Sequence, residues 1–189
     1  MDIDNSLPPC DVDAEAAVLG SILIDPDVYY EVAEALTPAM FYRPGHRWLF
    51  QAIRDLNERS EATDLLTIGA ELTRAGKLEE AGGMDYLIYL LNVPVTSVNA
   101  EHYAGIVAEK AARRRLILAA GSVARLAYNE ATPIDDVMVG AEAAVIEANA
   151  AAQRGTVIAP RRFMSDYVDG FLSDIAAGPD TNRVITTGL

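Results

Sequence analysis

Several residue groups in this sequence could do chemistry, and each also has a plainer structural reading. Gly76-Lys77 invites comparison with a phosphate-binding loop, whose backbone N–H groups and lysine cradle phosphates. That loop needs another glycine five positions before Gly76 and a Ser or Thr after the lysine. Glu71 and Leu78 stand there instead, so Gly76 reads as the glycine that closes a helix. His46 and His102 are 56 positions apart and lack the Cys and His spacing of a zinc site. His46 is therefore expected to pack or hydrogen-bond at a helix start. Glu79-Glu80 and Asp135-Asp136 could serve as acid–base dyads or Mg ligands. Adjacent helical positions point apart, however, so these pairs read as solvated faces and helix-start charges. No catalytic, cofactor-binding or metal-ligating residue is expected in this chain.

Arg113-Arg114-Arg115 is the one basic run, and phosphate binding is its first reading. Successive helical residues are turned by about 100°, so the three fan out instead of forming one stripe. Salt bridging to an acidic neighbouring subunit fits them better. Phe41, Tyr42, Trp48 and Phe50 could stack bases, but their helical spacing in an acidic setting reads as a cluster of core aromatics. The single Cys10 excludes an internal disulfide framework and fits a reducing compartment.

The formal charge is -13, and it is unevenly spread: -11 over residues 1 to 100, +1 over 101 to 162 and -3 over 163 to 189. Affinity for nucleic acid comes mainly from Lys and Arg neutralising phosphates. A head this acidic repels a polyanion, so DNA is not expected to be contacted by these residues. No run approaches the roughly 20 apolar residues that span a bilayer, and the acidic start does not resemble a signal peptide. No membrane partner is expected, and the reading is cytoplasmic.

Stepping along the chain, prolines and glycines mark out helices. Residues 1–10, with Pro8-Pro9, read as a disordered leader. Asp11 is a fitting N-cap for a helix through Val12, Ala16, Leu19, Ile22 and Leu23. Asp25-Pro26 would cap and start the next, carrying Val28, Val32 and Leu36 inward. After Pro44 a helix carries His46, Leu49, Phe50, Ile53 and Leu56. Another runs from Leu65 to Gly76, and a short one with Tyr86, Leu87, Leu90 and Leu91 stops at Val93-Pro94. These elements make a globular helical head over 11–98.

From Asn99 to about Glu130 there is no proline, and a helix of that length would reach about 48 Å. Thr132-Pro133 starts a second long helix with Ile134, Val137, Met138, Ala141, Val145, Ala148 and Ala152 in a helical stripe. Residues 99–153 thus read as an antiparallel helical hairpin. Its many alanines permit close approach but bury little area each, so its remaining apolar surface calls for a partner chain. Ile117, Arg125, Leu126 and Tyr128 are expected on the exposed side, with Met138 and Val145 inside. Residues 154–189 read as a linker followed by an amphipathic helix with Phe163, Tyr167, Phe171, Leu172 and Ile175, which should dock on something else.

The order of these runs resembles the N-terminal region of DnaB-type replicative DNA helicases. They are Pro8-Pro9, Ala14-Glu15, Val18-Leu19-Gly20-Ser21 and Asp25-Pro26, then Phe41-Tyr42-Arg43-Pro44 with His46 and Arg47. Gly82-Gly83, Tyr86-Leu87, Val93-Pro94, Asn99, Tyr103-Ala104, Ile106-Val107, Glu109-Lys110-Ala111 and Arg114 follow, and Thr187-Gly188-Leu189 resembles the approach to a RecA-like motor. The resemblance covers nearly the whole chain, which is expected to stop before the ATPase domain and its Walker A motif.

That resemblance implies an all-α assembly and partner-docking module of a hexameric, ATP-dependent helicase. Copies would pair as dimers and a trimer of dimers, with primase docking at Ile117, Arg125, Leu126 and Tyr128 and a helicase loader as a further partner. The Phe163, Tyr167, Phe171, Leu172 and Ile175 helix would pack on a neighbouring motor domain. ATP and Mg, like the DNA, would belong to that motor. Two other readings are a stand-alone helicase-binding regulator, loader-like in action, and an enzyme on a helical scaffold.

Overall fold

A computed structural model describes residues 7–93 and 99–153, with side chains described as far as Asn149. Every element among these residues is helical, as expected: α1 (Val12–Ile24), α2 (Val28–Val32), a 3-10 turn (Pro38–Met40), α3 (Pro44–Glu58), α4 (Leu65–Arg74), α5 (Gly83–Leu91), α6 (Ala100–Tyr128) and α7 (Ile134–Gln153). The expected linker helix with Phe163, Tyr167, Phe171, Leu172 and Ile175 lies outside the described residues.

Helix α1 starts where its cap allows: the Asp11 carboxylate accepts the N–H of Ala14 at 2.9 Å, satisfying one orphan donor of the first turn. Every residue from Ala14 to Leu23 is buried, because α3, α5 and α6 all pack against this helix. A helix covered all round need not be amphipathic. Its Leu19 and Ile22 meet Leu49, Phe50, Ile53, Leu72, Leu87 and Leu90 in one core, where Phe41 and Phe50 lie 4.9 Å apart. Each fully buried Leu, Ile or Phe contributes about 1.5–3 kcal/mol.

Helix α2 begins later than the Asp25-Pro26 pair suggests. The Asp25 side chain accepts the N–H of Asp27, and the carbonyls of Asp25 and Pro26 accept from Val28 and Tyr29. A tight turn thus takes up the pair, and Asp27 holds the cap position. Val28, Val32 and Leu36 point inward as expected. Trp48 departs from the expected aromatic core. It is 38% exposed, with its indole N–H donating to Glu80 and the Lys77 ammonium 4.6 Å above its ring. Polar neighbours cover the ring where apolar ones were expected.

Two helices end in the same way. After α4, Gly76 takes φ +66 while the N–H of Lys77 bonds the carbonyl of Leu72 and that of Gly76 bonds Thr73, a Schellman motif. After α3, the N–H of Glu61 bonds Leu56 and that of Ser60 bonds Asn57, with Ser60 at φ 57. A side chain is strained there in a way glycine is not. Arg59, beside it, donates to Glu71 at 2.9 Å, and Arg74 donates to Glu71 from the other side.

Ser60→Gly is expected to stabilise the fold by about 0.5–1 kcal/mol, read as a higher urea midpoint at unchanged slope. The Glu71 carboxyl is held below its usual value of 4.5, first by the hydrogen bond from Arg74. A depressed carboxyl contributes stability that is fully present above its unfolded value and is lost as pH falls through the folded one. Between pH 7 and pH 3.5 the parent should therefore lose more urea resistance than Glu71→Gln does.

Candidate functional site

The chain between the 3-10 turn and α3 is extended, and three charged side chains hold it. Glu15, 1% exposed in the first turn of α1, accepts the backbone N–H of Tyr42 and, at 3.3 Å, that of Arg43. From α3, Arg47 Nε donates to the Phe41 carbonyl at 2.6 Å and its Nη2 to the Tyr42 carbonyl at 3.2 Å. From α6, Arg114 donates to the carbonyls of Met40 and Pro9, the latter at 2.7 Å. Buried backbone polar groups need partners, and this strap finds them in side chains.

His46 meets the expectation made for it. Fully buried, it places Nδ1 2.7 Å from Glu15 Oε2 and Nε2 2.7 Å from the Tyr86 hydroxyl. Glu15 already accepts from two N–H groups, so Nδ1 donates to it; a neutral imidazole then accepts at Nε2 from the Tyr86 O–H. Burial pushes the Tyr86 phenol up, partly offset by the Arg43 guanidinium lying 4.5 Å over its ring. Tyr89 stacks on Tyr86 at 5.6 Å and carries the chain of contacts to the surface.

The arginine run fans out as expected, and Arg113 and Arg114 find partners within the chain. Arg113 pairs with Glu109 on its own helix at 2.7 Å. Arg114 turns into the head, 5.6 Å from the Tyr42 ring, and desolvation pulls its pKa below the usual range. Arg115 keeps its Nε buried without a hydrogen-bond partner among the described residues. By taking the Pro9 carbonyl, Arg114 also ties down the end of the leader, where Pro9 and Cys10 are half-buried; disorder is corrected for those two residues. The first turns of α6 bury Ala100, Ala104, Val107 and Ala111 in the head core, so α6 belongs to head and hairpin alike.

Beyond Arg114 the picture changes. No residue of α6 from Arg115 onward is buried. Leu116, Ile117 and Leu118 are all exposed, Leu118 by 70%. Three successive positions cover most of a helix circumference, so among the described residues α7 is the element that shields this arm. The groove residues Ser122 and Leu126 of α6 face Ala144 and Gly140 of α7, and Leu118 lies level with Ala148, which makes the pair antiparallel. A Cβ on Gly140 would stand 3.0 Å from Leu126 Cδ1, a close approach that larger residues forbid. The alanines around it leave an open groove of about 420 Å³.

Of the residues expected on the exposed side, Ile117, Arg125 and Tyr128 are there, Tyr128 by 88%. Leu126 is half-buried against α7. Met138 and Val145, expected inside, are 56% and 46% exposed. The alanines bring the arms so close that larger side chains are turned outward; Val137 and Ala148 are the buried residues of α7 among those described. Val139, Ile146 and Ile134 add to the uncovered apolar surface. Periodicity misassigned the inner face of α7, because more than one of its faces carries apolar residues.

Among the described residues no three His, Cys, Asp or Glu side chains gather as a metal site, and no helix is long and apolar enough to cross a membrane. An all-helical head carrying a bare apolar hairpin defines a class, the helical protein-contact module. The family model described as DnaB-like helicase N terminal domain matches residues 7–109. Two relatives are "Replicative DNA helicase DnaC" of Bacillus subtilis, 38% identical over 77% of this chain, and "Replicative DNA helicase DnaB" of Mycobacterium leprae, 44% identical over 68%. The crystal structure of the N-terminal domain of DnaB helicase from Mycobacterium tuberculosis superposes with TM-score 0.72 at 41% identity, covering 75% of this chain and 99% of that one. The chain belongs to the DnaB-like helicase N-terminal domain family. It spans 32% and 21% of the length of those two relatives. A fold likeness at 23% identity, TM-score 0.57, extends over 92% of the chain to a DnaB-like replicative helicase solved with its interactions with primase.

Tyr86→Phe removes the donor to a fully buried imidazole nitrogen. It should cost about 1–3 kcal/mol, measured by urea unfolding.

Proposed function

We propose that this chain is the N-terminal assembly and partner-docking module of a hexameric replicative DNA helicase. Its copies pair through the hairpins into dimers and a trimer of dimers, and the assembled hairpins receive primase and a helicase loader. The observation that carries this reading is the arm beyond Arg114, where Leu116, Ile117, Leu118 and Tyr128 on α6 stand exposed beside Met138, Val139 and Ile146 on α7. A soluble monomer rarely leaves so much contiguous apolar surface uncovered. An isologous pairing of two hairpins would bury it. The fold shared with a helicase solved with primase supports the choice of partner.

Ile117, Arg125, Leu126 and Tyr128 are the proposed subunit or primase contacts, Leu126 acting from the groove wall. Phe163, Tyr167, Phe171, Leu172 and Ile175 are the proposed helix that docks on a neighbouring motor domain. ATP and Mg are assigned to that motor, as is DNA. The acidic head argues against a phosphate-binding role for its own residues.

Light scattering on this chain at tens of micromolar should give dimers or larger particles. Ile117→Asp combined with Ile146→Asp should shift it to monomers with helix content kept. A parent that is strictly monomeric, with both arms bare, would overturn the proposal.

A further inference from the structure

Arg114 stands where α6 leaves the head. Before it, the helix is attached through buried Ala100, Ala104, Val107 and Ala111, with Tyr103 and Ile106 partly buried beside them. After it, among the described residues, no hydrogen bond or ion pair joins α6 to the head. Its guanidinium grips two segments far apart in sequence, the leader at Pro9 and the strap at Met40. Both acceptors are neutral carbonyls. The half-buried cation is thus bonded to no carboxylate, and the Glu15 carboxylate offsets its desolvation only through space.

We propose that Arg114 is the latch at a fulcrum: its two-carbonyl grip sets the angle of the hairpin to the head and, by the same bonds, holds the leader closed beneath α6. Opening the latch releases the two together. Residues 115 to 128 then swing as one arm of about 21 Å, pivoting on the contacts that Tyr103, Ala104, Ile106, Val107 and Ala111 make with the head, while the core around α1 stays folded. The planar fork of arginine can serve two carbonyls at once, and a lysine ammonium lacks that geometry.

The single Cys10, half-buried next to Pro9, reports the leader, and its reaction rate with a disulfide reagent is the first readout. Arg114→Gln and Arg114→Lys should each accelerate labelling about tenfold, as expected when the closed state loses a charge-assisted hydrogen bond. Arg113→Gln should leave the rate unchanged. Losing the positive charge beside the thiol would by itself slow the reaction, so faster labelling reports opening. The second readout is the distance distribution between spin labels at Glu79→Cys and Glu130→Cys in a Cys10→Ser background, which should widen about twofold in both Arg114 variants. Thermal melting of the head must stay cooperative; if Arg114→Gln does not fold, Arg114→Lys decides. Unchanged labelling, or a freed leader with the distance distribution as narrow as in the parent, overturns the proposal.

Discussion

The head depends on one buried carboxylate. Glu15 sits in a helix that is covered on every side, so its charge has no route to water and must be met by donors from other elements. The donors are two backbone N–H groups of the extended strap and the ring of His46. Removing one partner of such a group costs far more than the net worth of the bond, because the other is left buried and unmet. The strap in turn is extended at Phe41 and Arg43 as it presents those N–H groups, which is what lets Pro44 open α3 at its first position. Arg47 and Arg114 satisfy the strap's carbonyls, so α1, α3 and α6 converge on four consecutive residues.

That convergence divides the molecule into two chemical regimes. In the head the buried polar groups find partners and the aliphatic side chains share one core. In the hairpin the arms touch through glycine and alanine with Leu126 and Val137 beside them, and most of the other larger side chains look outward. The division falls at Arg114, within a single helix, so it is a change in packing chemistry along an unbroken backbone.

The helices were legible because their punctuation is local. Asp11, Pro44, Gly76 and Thr132-Pro133 each act on their own turn, and the expected elements follow them. What lay beyond reach were properties set by distant neighbours. Nothing in the spacing of α1 says that Glu15 points into the core, since a glutamate in a helix is ordinarily solvated. Arg114 read as one of three equivalent basic residues, and only the positions of Pro9 and Met40 distinguish it. Met138 and Val145 were placed inside by a stripe that α7 carries on more than one side. Trp48 was misplaced because its Glu80 and Lys77 partners come from the turn between α4 and α5. The bare arm was partly legible: the alanine count signalled weak self-burial, and the identity of the outward residues did not follow from it.

Alanine in the seam has a further consequence, for the way the hairpin holds its shape. Arms joined by small side chains gain little free energy from meeting, so their order is thermodynamically linked to whatever covers them. Any species that binds the closed hairpin and not the splayed one adds RT ln(1 + [L]/Kd) to its stability. The stiffness of this arm is therefore a property of its surroundings, low in dilute solution and high where covering surfaces are held nearby. The same sequence can be a loose forearm or a rigid strut, and local concentration decides which.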